Sequence, residues 1–171
     1  MAEPPLAYPI VLDAGQIAGL LPHRGEMSFL QTLTVLAHDH YQGTAQWARD
    51  CVILQGHFPD LPIVPGVLLV EAVAQVGGAG MLAGDPYVRD MGSDFIGVLA
   101  GIRKCNFRRP VLPGELVAIE VKCRQMTDRA AIVSGIVKVG NDEAANIEIF
   151  VVNSPRATLE EHIAALRRSS P

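Results

Sequence analysis

Gly56-His57-Phe58-Pro59-Asp60-Leu61-Pro62-Ile63-Val64-Pro65-Gly66, running without a break into Val67-Leu68-Leu69-Val70-Glu71-Ala72-Val73-Ala74-Gln75, is the stretch whose reading decides the fold. Five of its first eleven residues are Gly or Pro, so the chain before Val67 is a stiff, non-helical lead-in. A helix is predicted from Val67 to about Leu82. Pro65 is compatible with its first turn, where a missing N–H leaves no hydrogen bond unmade. The residues after Gly66 are apolar around the whole circumference, so this helix must be buried. One carboxylate, Glu71, stands inside the apolar run, with Gln75 one turn later on the same face. A carboxyl group sealed from water needs a partner or a proton, which makes Glu71 a candidate functional residue and His57, in the stiff segment before it, a second.

Outward from this stretch, the 171 residues fit a single domain, with a core over about 16–153 and a helical extension over about 158–168. With 49% hydrophobic and 19% charged residues and a mean hydropathy of +0.26, the chain is apolar for its size, which implies surface covered by another subunit. No apolar run is read as a membrane span, and Met1 to Pro9 lacks the pattern of a signal peptide, so no membrane association and a cytoplasmic location are expected. Cys51, Cys105 and Cys123 have no Cys-x-x-Cys spacing and are expected as free thiols in strands, without a metal. His38 and His40 are read as turn residues rather than metal ligands. A net charge of −4 argues against nucleic acid as a partner, although Arg103, Lys104, Arg108 and Arg109 form a local basic cluster.

Asp13 with Gln16 reads as the start of a short helix that Pro22 stops. Thr32–His38 and His40–Cys51 read as a hairpin turning at His38-Asp39-His40. Beyond the central helix, Gly77, Gly78 and Gly80 are expected to weaken its end, and a loop of about eight to ten residues follows. Four strands are then predicted, over Phe95–Phe107, Glu115–Met126, Arg129–Val139 and Ala144–Val152, paired consecutively as the simplest topology. The second alternates Val117, Ile119, Val121 and Cys123 against Glu120, Lys122 and Arg124, the pattern of a sheet with one wet face. The fold class is therefore α+β, a curved antiparallel sheet wrapped around the long helix. Thr158 and Glu161 read as a capping box for a peripheral C-terminal helix.

The His57-to-Gln75 block, with Leu21-Pro22-His23-Arg24 before it and Phe107-Arg108-Arg109-Pro110-Val111 and Pro113-Gly114 after it, closely resembles the 3-hydroxyacyl-(acyl carrier protein) dehydratases of the FabZ type. The resemblance spans roughly residues 16 to 153 and implies the hot-dog fold. It departs from the family pattern after Arg24, where an Asp-Arg pair is missing, and at 95–101, where tunnel-gating aromatics are common. It implies a dimer in which His57 of one subunit meets Glu71 of the other beside a tunnel for the acyl chain, with a trimer of dimers as the larger assembly. An acyl carrier protein would deliver the substrate, with Arg103, Lys104, Arg108 and Arg109 as candidate docking charges, and no cofactor or metal would be used. His23 and Arg24 are read as holding the N-terminal turn.

Dehydration of a 3-hydroxyacyl thioester needs a base for the C2 proton, an acid for the departing hydroxyl and donors for the thioester oxygen. Neutral His57 suits the first role and protonated Glu71 the second. The unpaired amides of Gly66 and Val67 suit the third, with Phe58 and Gln75 as further substrate-site residues. FabA-type relatives carry Asp at the acid position, so Glu71 favours simple dehydration without isomerisation. A hot-dog acyl thioesterase and a non-catalytic acyl-binding paralogue are the alternatives.

Overall fold

A computed structural model of the protein describes residues 6–91 and 94–169. Seven strands form one sheet: β1 (Ile10–Asp13), β2 (Leu30–Ala37), β3 (His40–Ala45), β4 (Phe95–Phe107), β5 (Val117–Thr127), β6 (Ala130–Val139) and β7 (Asp142–Pro155). The helices are α1 (Ala14–Leu20), α2 (Val52–Gln55), α3 (Gly66–Gly84), α4 (Pro86–Met91) and α5 (Arg156–Ser169). The sheet order is β1-β2-β3-β5-β6-β7-β4, with every neighbouring pair antiparallel.

Helix α3 lies on one face of this sheet, which is the expected hot-dog arrangement. The β5 alternation decides which face: Val117, Ile119 and Val121 are buried, as are Val133 and Val137 of β6 and Ile147 and Ile149 of β7. They meet Ala72, Val73, Val76 and Ala79 of α3, all fully buried. Each branched side chain sealed here contributes about 1.5–3 kcal/mol of transfer free energy. By length and composition α3 could also cross a bilayer, contrary to the absence of such a run expected above, but it is mostly buried as the core helix.

Consecutive pairing of the last four strands is not what forms. The β5-β6-β7 meander does, but β4 pairs with β7 at the far edge while β5 sits against β3. Turn residues mark where a chain reverses, not which strand it rejoins. Residues 108–116 are long enough to bring β5 back beneath the start of α3, tied on the way by Val64 N–H to Val111 O at 2.8 Å and Gly114 N–H to Trp47 O at 2.8 Å.

Several local expectations hold and others shift. Asp13 caps α1 by accepting from Gln16 N–H at 2.9 Å, and the Gln16 side chain accepts from Asp13 N–H at 3.0 Å. The strand β1 ahead of this cap was not anticipated. The hairpin turns at His38-Asp39, but β3 ends at Ala45, and residues 46–51, read as its continuation, are irregular and lead into α2. Cys51 accordingly sits at the start of α2 rather than in a strand, with its thiol donating to Glu26 Oε2 at 2.8 Å. The loop after α3 contains α4, and part of it, Gly92 and Ser93, lies outside the described residues. Helix α5 continues directly from β7, so Thr158 falls inside its first turn instead of capping it. Its packing runs chiefly to β7, at the periphery as expected.

Burial pushes the Cys123 thiol from its ordinary 9.0 up to about 12, with Asp39 and Asp85 adding to the shift. Above pH 9 the unfolded chain ionises this thiol while the folded chain keeps it neutral, so stability falls between pH 9 and 12. The slope from this group approaches about 1.4 kcal/mol per pH unit. Denaturant titrations of wild type and Cys123→Ala across that window are expected to show a shallower slope in the variant; identical slopes would contradict the assignment.

Candidate active site

The stiff lead-in orients His57. Helix α2 closes at Gly56, and His57 N–H donates to Leu54 O at 3.2 Å, fixing the backbone on one side of the ring. His57 Nδ1 lies 3.2 Å from the carbonyl oxygen of Ile63. A carbonyl only accepts, so the contact selects the Nδ1–H tautomer and leaves Nε2 with its lone pair free to act as a base. The half-exposed Phe58 ring stands beside the imidazole, centroids 4.3 Å apart, and screens one of its sides.

Glu71 occupies the second turn of α3. It is not sealed as the apolar run suggested: its side chain is 24% exposed, because it stands near the end of the helix that the lead-in leaves open. Gln75, one turn on, is the buried polar residue at 2% exposure. Its Nε2 donates to Glu71 Oε1 at 2.8 Å and to Met27 O at 2.9 Å, so Gln75 does orient Glu71. A third residue joins them, and the sequence reading missed it. His23 was assigned to the N-terminal turn, yet its Nε2 lies 3.1 Å from Glu71 Oε1. Arg24 does hold that turn, with Nη1 donating to Leu21 O at 2.7 Å and His23 O at 2.6 Å. The available signal was the Leu21-Pro22-His23-Arg24 motif, but nothing in its spacing shows that this turn folds back onto α3.

Gly66 and Val67 open α3, where backbone N–H groups have no intrahelical acceptor and carry the positive end of the helix dipole. A Cβ at Gly66 would stand 2.7 Å from Cζ of Phe107, so a larger residue there would push the tip of this half-exposed ring away from the helix start.

The basic cluster is largely paired. Arg103 meets Glu148 at 3.4 Å, Arg108 meets Glu143 at 2.7 Å, and Arg109 meets Glu115 at 2.8 Å. The β4–β7 register slips between Ile102 and Lys104, so Lys104 stands across from Glu148, to which Arg103 is ion-paired. His40, read as a turn residue, opens β3 and bonds Glu120 at 2.8 Å.

Within one protomer, His23, Glu71 and Gln75 thus form one hydrogen-bonded group. Among the described residues, no hydrogen bond or ion pair joins His57 to Glu71. The model of the FabA-like domain matches residues 21–148, which include every residue of this site. The chain is 35% identical over 153 residues to the 3-hydroxyacyl-[acyl-carrier-protein] dehydratase FabZ of Koribacter versatilis, covering 89% of this chain and 96% of that one. In structure it is similar to the dehydratase heterocomplex ApeI:P from Xenorhabdus doucetiae, with a TM-score of 0.69 at 18% identity, covering 86% of this chain and 96% of that one. It is also similar to a hypothetical thioesterase from Streptococcus pneumoniae, with a TM-score of 0.51 at 9% identity over 70% of this chain and 81% of that one. At such identities the two structures speak for the fold alone.

Proposed function

The chain belongs to the FabA-like family, and on that premise we propose that it removes water from 3-hydroxyacyl thioesters carried on an acyl carrier protein, leaving the trans-2-enoyl thioester. The observation that carries this reading is the pair of oriented groups: His57 with Nδ1 engaged by Ile63 O, and Glu71 with Oε1 engaged by Gln75. His57 Nε2 takes the C2 proton. The electron pair forms the C2–C3 double bond as the C3–O bond breaks, and Glu71 gives its proton to the departing hydroxyl, which leaves as water. The Gly66 and Val67 amides hold the thioester oxygen as it gains charge.

His57 and Glu71 serve together across a dimer interface. Strand β4 supports this: it is a 13-residue edge strand, paired on one side only, with Val98, Leu99 and Ile102 exposed along it. A long apolar edge is a template for a second strand, and a second copy of this chain satisfies it by symmetry. The larger assembly is a trimer of dimers, and the substrate belongs to fatty acid or a related lipid or polyketide route. Arg103, Arg108 and Arg109 are each paired with one glutamate, so those pairs carry no net charge, and the docking charge of this cluster falls to Lys104, which has no ion pair among the described residues.

Incubation of the purified protein with a 3-hydroxyacyl carrier-protein substrate, followed by mass spectrometry of the intact carrier, tests this directly. Loss of one water from the tethered acyl group is expected. Release of the free acid would identify a thioesterase instead, and an unchanged carrier an acyl-binding protein.

A further inference from the structure

Two N–H donors converge on a single oxygen of Glu71. Gln75 can present only its nitrogen there, because rotating its amide by half a turn would set the amide oxygen against both the Met27 carbonyl and the carboxyl group. His23 Nε2 lies 3.1 Å from the same oxygen, where it either donates as N–H or, with the ring hydrogen on Nδ1 instead, accepts from a protonated carboxyl group. Its other nitrogen, Nδ1, is buried without a hydrogen-bond partner among the described residues. A hydrogen on Nδ1 would be stranded at that position, which assigns the ring hydrogen to Nε2 and makes Nε2 the donor to Glu71. The backbone carrying it is braced by Arg24, which bonds the carbonyls of Leu21 and His23, and by the buried side chain of Leu21.

We propose that His23 is a positioning residue for Glu71. Together with Gln75 it fills Oε1, so the proton used on the substrate is carried by Oε2, and the carboxyl plane is held from two sides instead of one. A carboxyl group held by Gln75 alone could swing about its last torsion and offer either oxygen. With both donors in place only one faces the leaving hydroxyl. The inference rests on the dehydratase reading of the site and adds to it a role for the turn before β2.

The test compares His23→Leu, which removes the donor, with His23→Gln, whose amide nitrogen reaches about as far as Nε2. For a 3-hydroxyacyl carrier-protein substrate, His23→Leu is expected to lower kcat by about 10- to 100-fold with KM within about threefold of wild type. His23→Gln is expected to recover most of that loss, to within about fivefold of wild type. Wild-type kcat in His23→Leu, or His23→Gln no better than His23→Leu, would overturn the proposal. Nitrogen-15 NMR of the wild-type imidazoles reads the same geometry without turnover: His23 is expected as the Nε2–H tautomer, with a resonance that moves on Glu71→Gln. Should His23→Leu fail to fold, His23→Gln and the NMR measurement decide. An Nδ1–H tautomer would refute the positioning role, whereas a correct tautomer in a wild-type protein that removes no water would refute the dehydratase reading alone.

Discussion

His57→Ala and Glu71→Gln are each expected to lower kcat for a 3-hydroxyacyl carrier-protein substrate by at least about 100-fold, or roughly 2.7 kcal/mol of transition-state stabilisation. Neither change should disturb the fold. His57 belongs to a segment fixed by backbone contacts, His57 N–H to Leu54 O and Val64 N–H to Val111 O, that survive loss of the ring. Gln at position 71 is nearly isosteric with Glu and still offers an oxygen to Gln75 and His23, removing the transferable proton but not the acceptor. Circular dichroism and solution mass should match wild type while turnover collapses. Near-normal turnover in either variant would remove that residue from the chemistry.

The second large effect is on stability. Gly80→Ala is expected to destabilise the protein by about 2 kcal/mol or more, although Ala is the better helix former by about 1 kcal/mol. A Cβ at Gly80 would stand 2.3 Å from Cγ and Cδ2 of Tyr41 and 2.7 Å from Cδ1. These atoms are the base of a fully buried ring, not the free end of a side chain, and the Tyr41 hydroxyl is tied to His38 O. Helix and strand must therefore separate to make room. A fall in Tm of about 4–8 °C is expected. In a double-mutant cycle, Tyr41→Leu should soften the effect of Gly80→Ala, giving a coupling energy that independent sites would not show. A Gly80→Ala protein as stable as wild type would mean that helix and sheet are not in contact at this point.

The same glycines show where sequence reading stops. Gly77, Gly78 and Gly80 looked like a fraying helix end, since glycine disfavours helix by propensity. In the fold α3 runs on to Gly84, and while Gly78 has only ordinary contact with Leu21, Gly77 and Gly80 mark points of close approach to Val133 and Tyr41, as Gly84 does to Val35. Tertiary packing outweighs the propensity penalty there. The β5 alternation was legible because one face of that strand is wet, and the Asp13–Gln16 cap because it is a local exchange of hydrogen bonds. Strand order was not, since nothing in β4 marks that its partner is β7, whose paired residues lie 38 to 60 positions onward. At the site, Gln75 could be paired with Glu71 from helical spacing alone. His23 could not, because its approach depends on how a turn 48 residues before Glu71 packs onto α3.

If one reactive centre is assembled from two chains, subunits that each lack a different half of it complement one another when mixed. His57→Ala and Glu71→Gln protomers, carrying different tags, are co-refolded and the mixed dimers isolated. If His57 of one chain works with Glu71 of the other, each mixed dimer holds one centre with both residues changed and one with both intact. The isolated mixed dimers then recover about one half of wild-type turnover from two nearly inactive parents, and an unsorted random mixture about one quarter. If both residues act within one chain, every centre in the mixed dimer lacks one of them, and activity no higher than the parents' in verified mixed dimers would contradict the account.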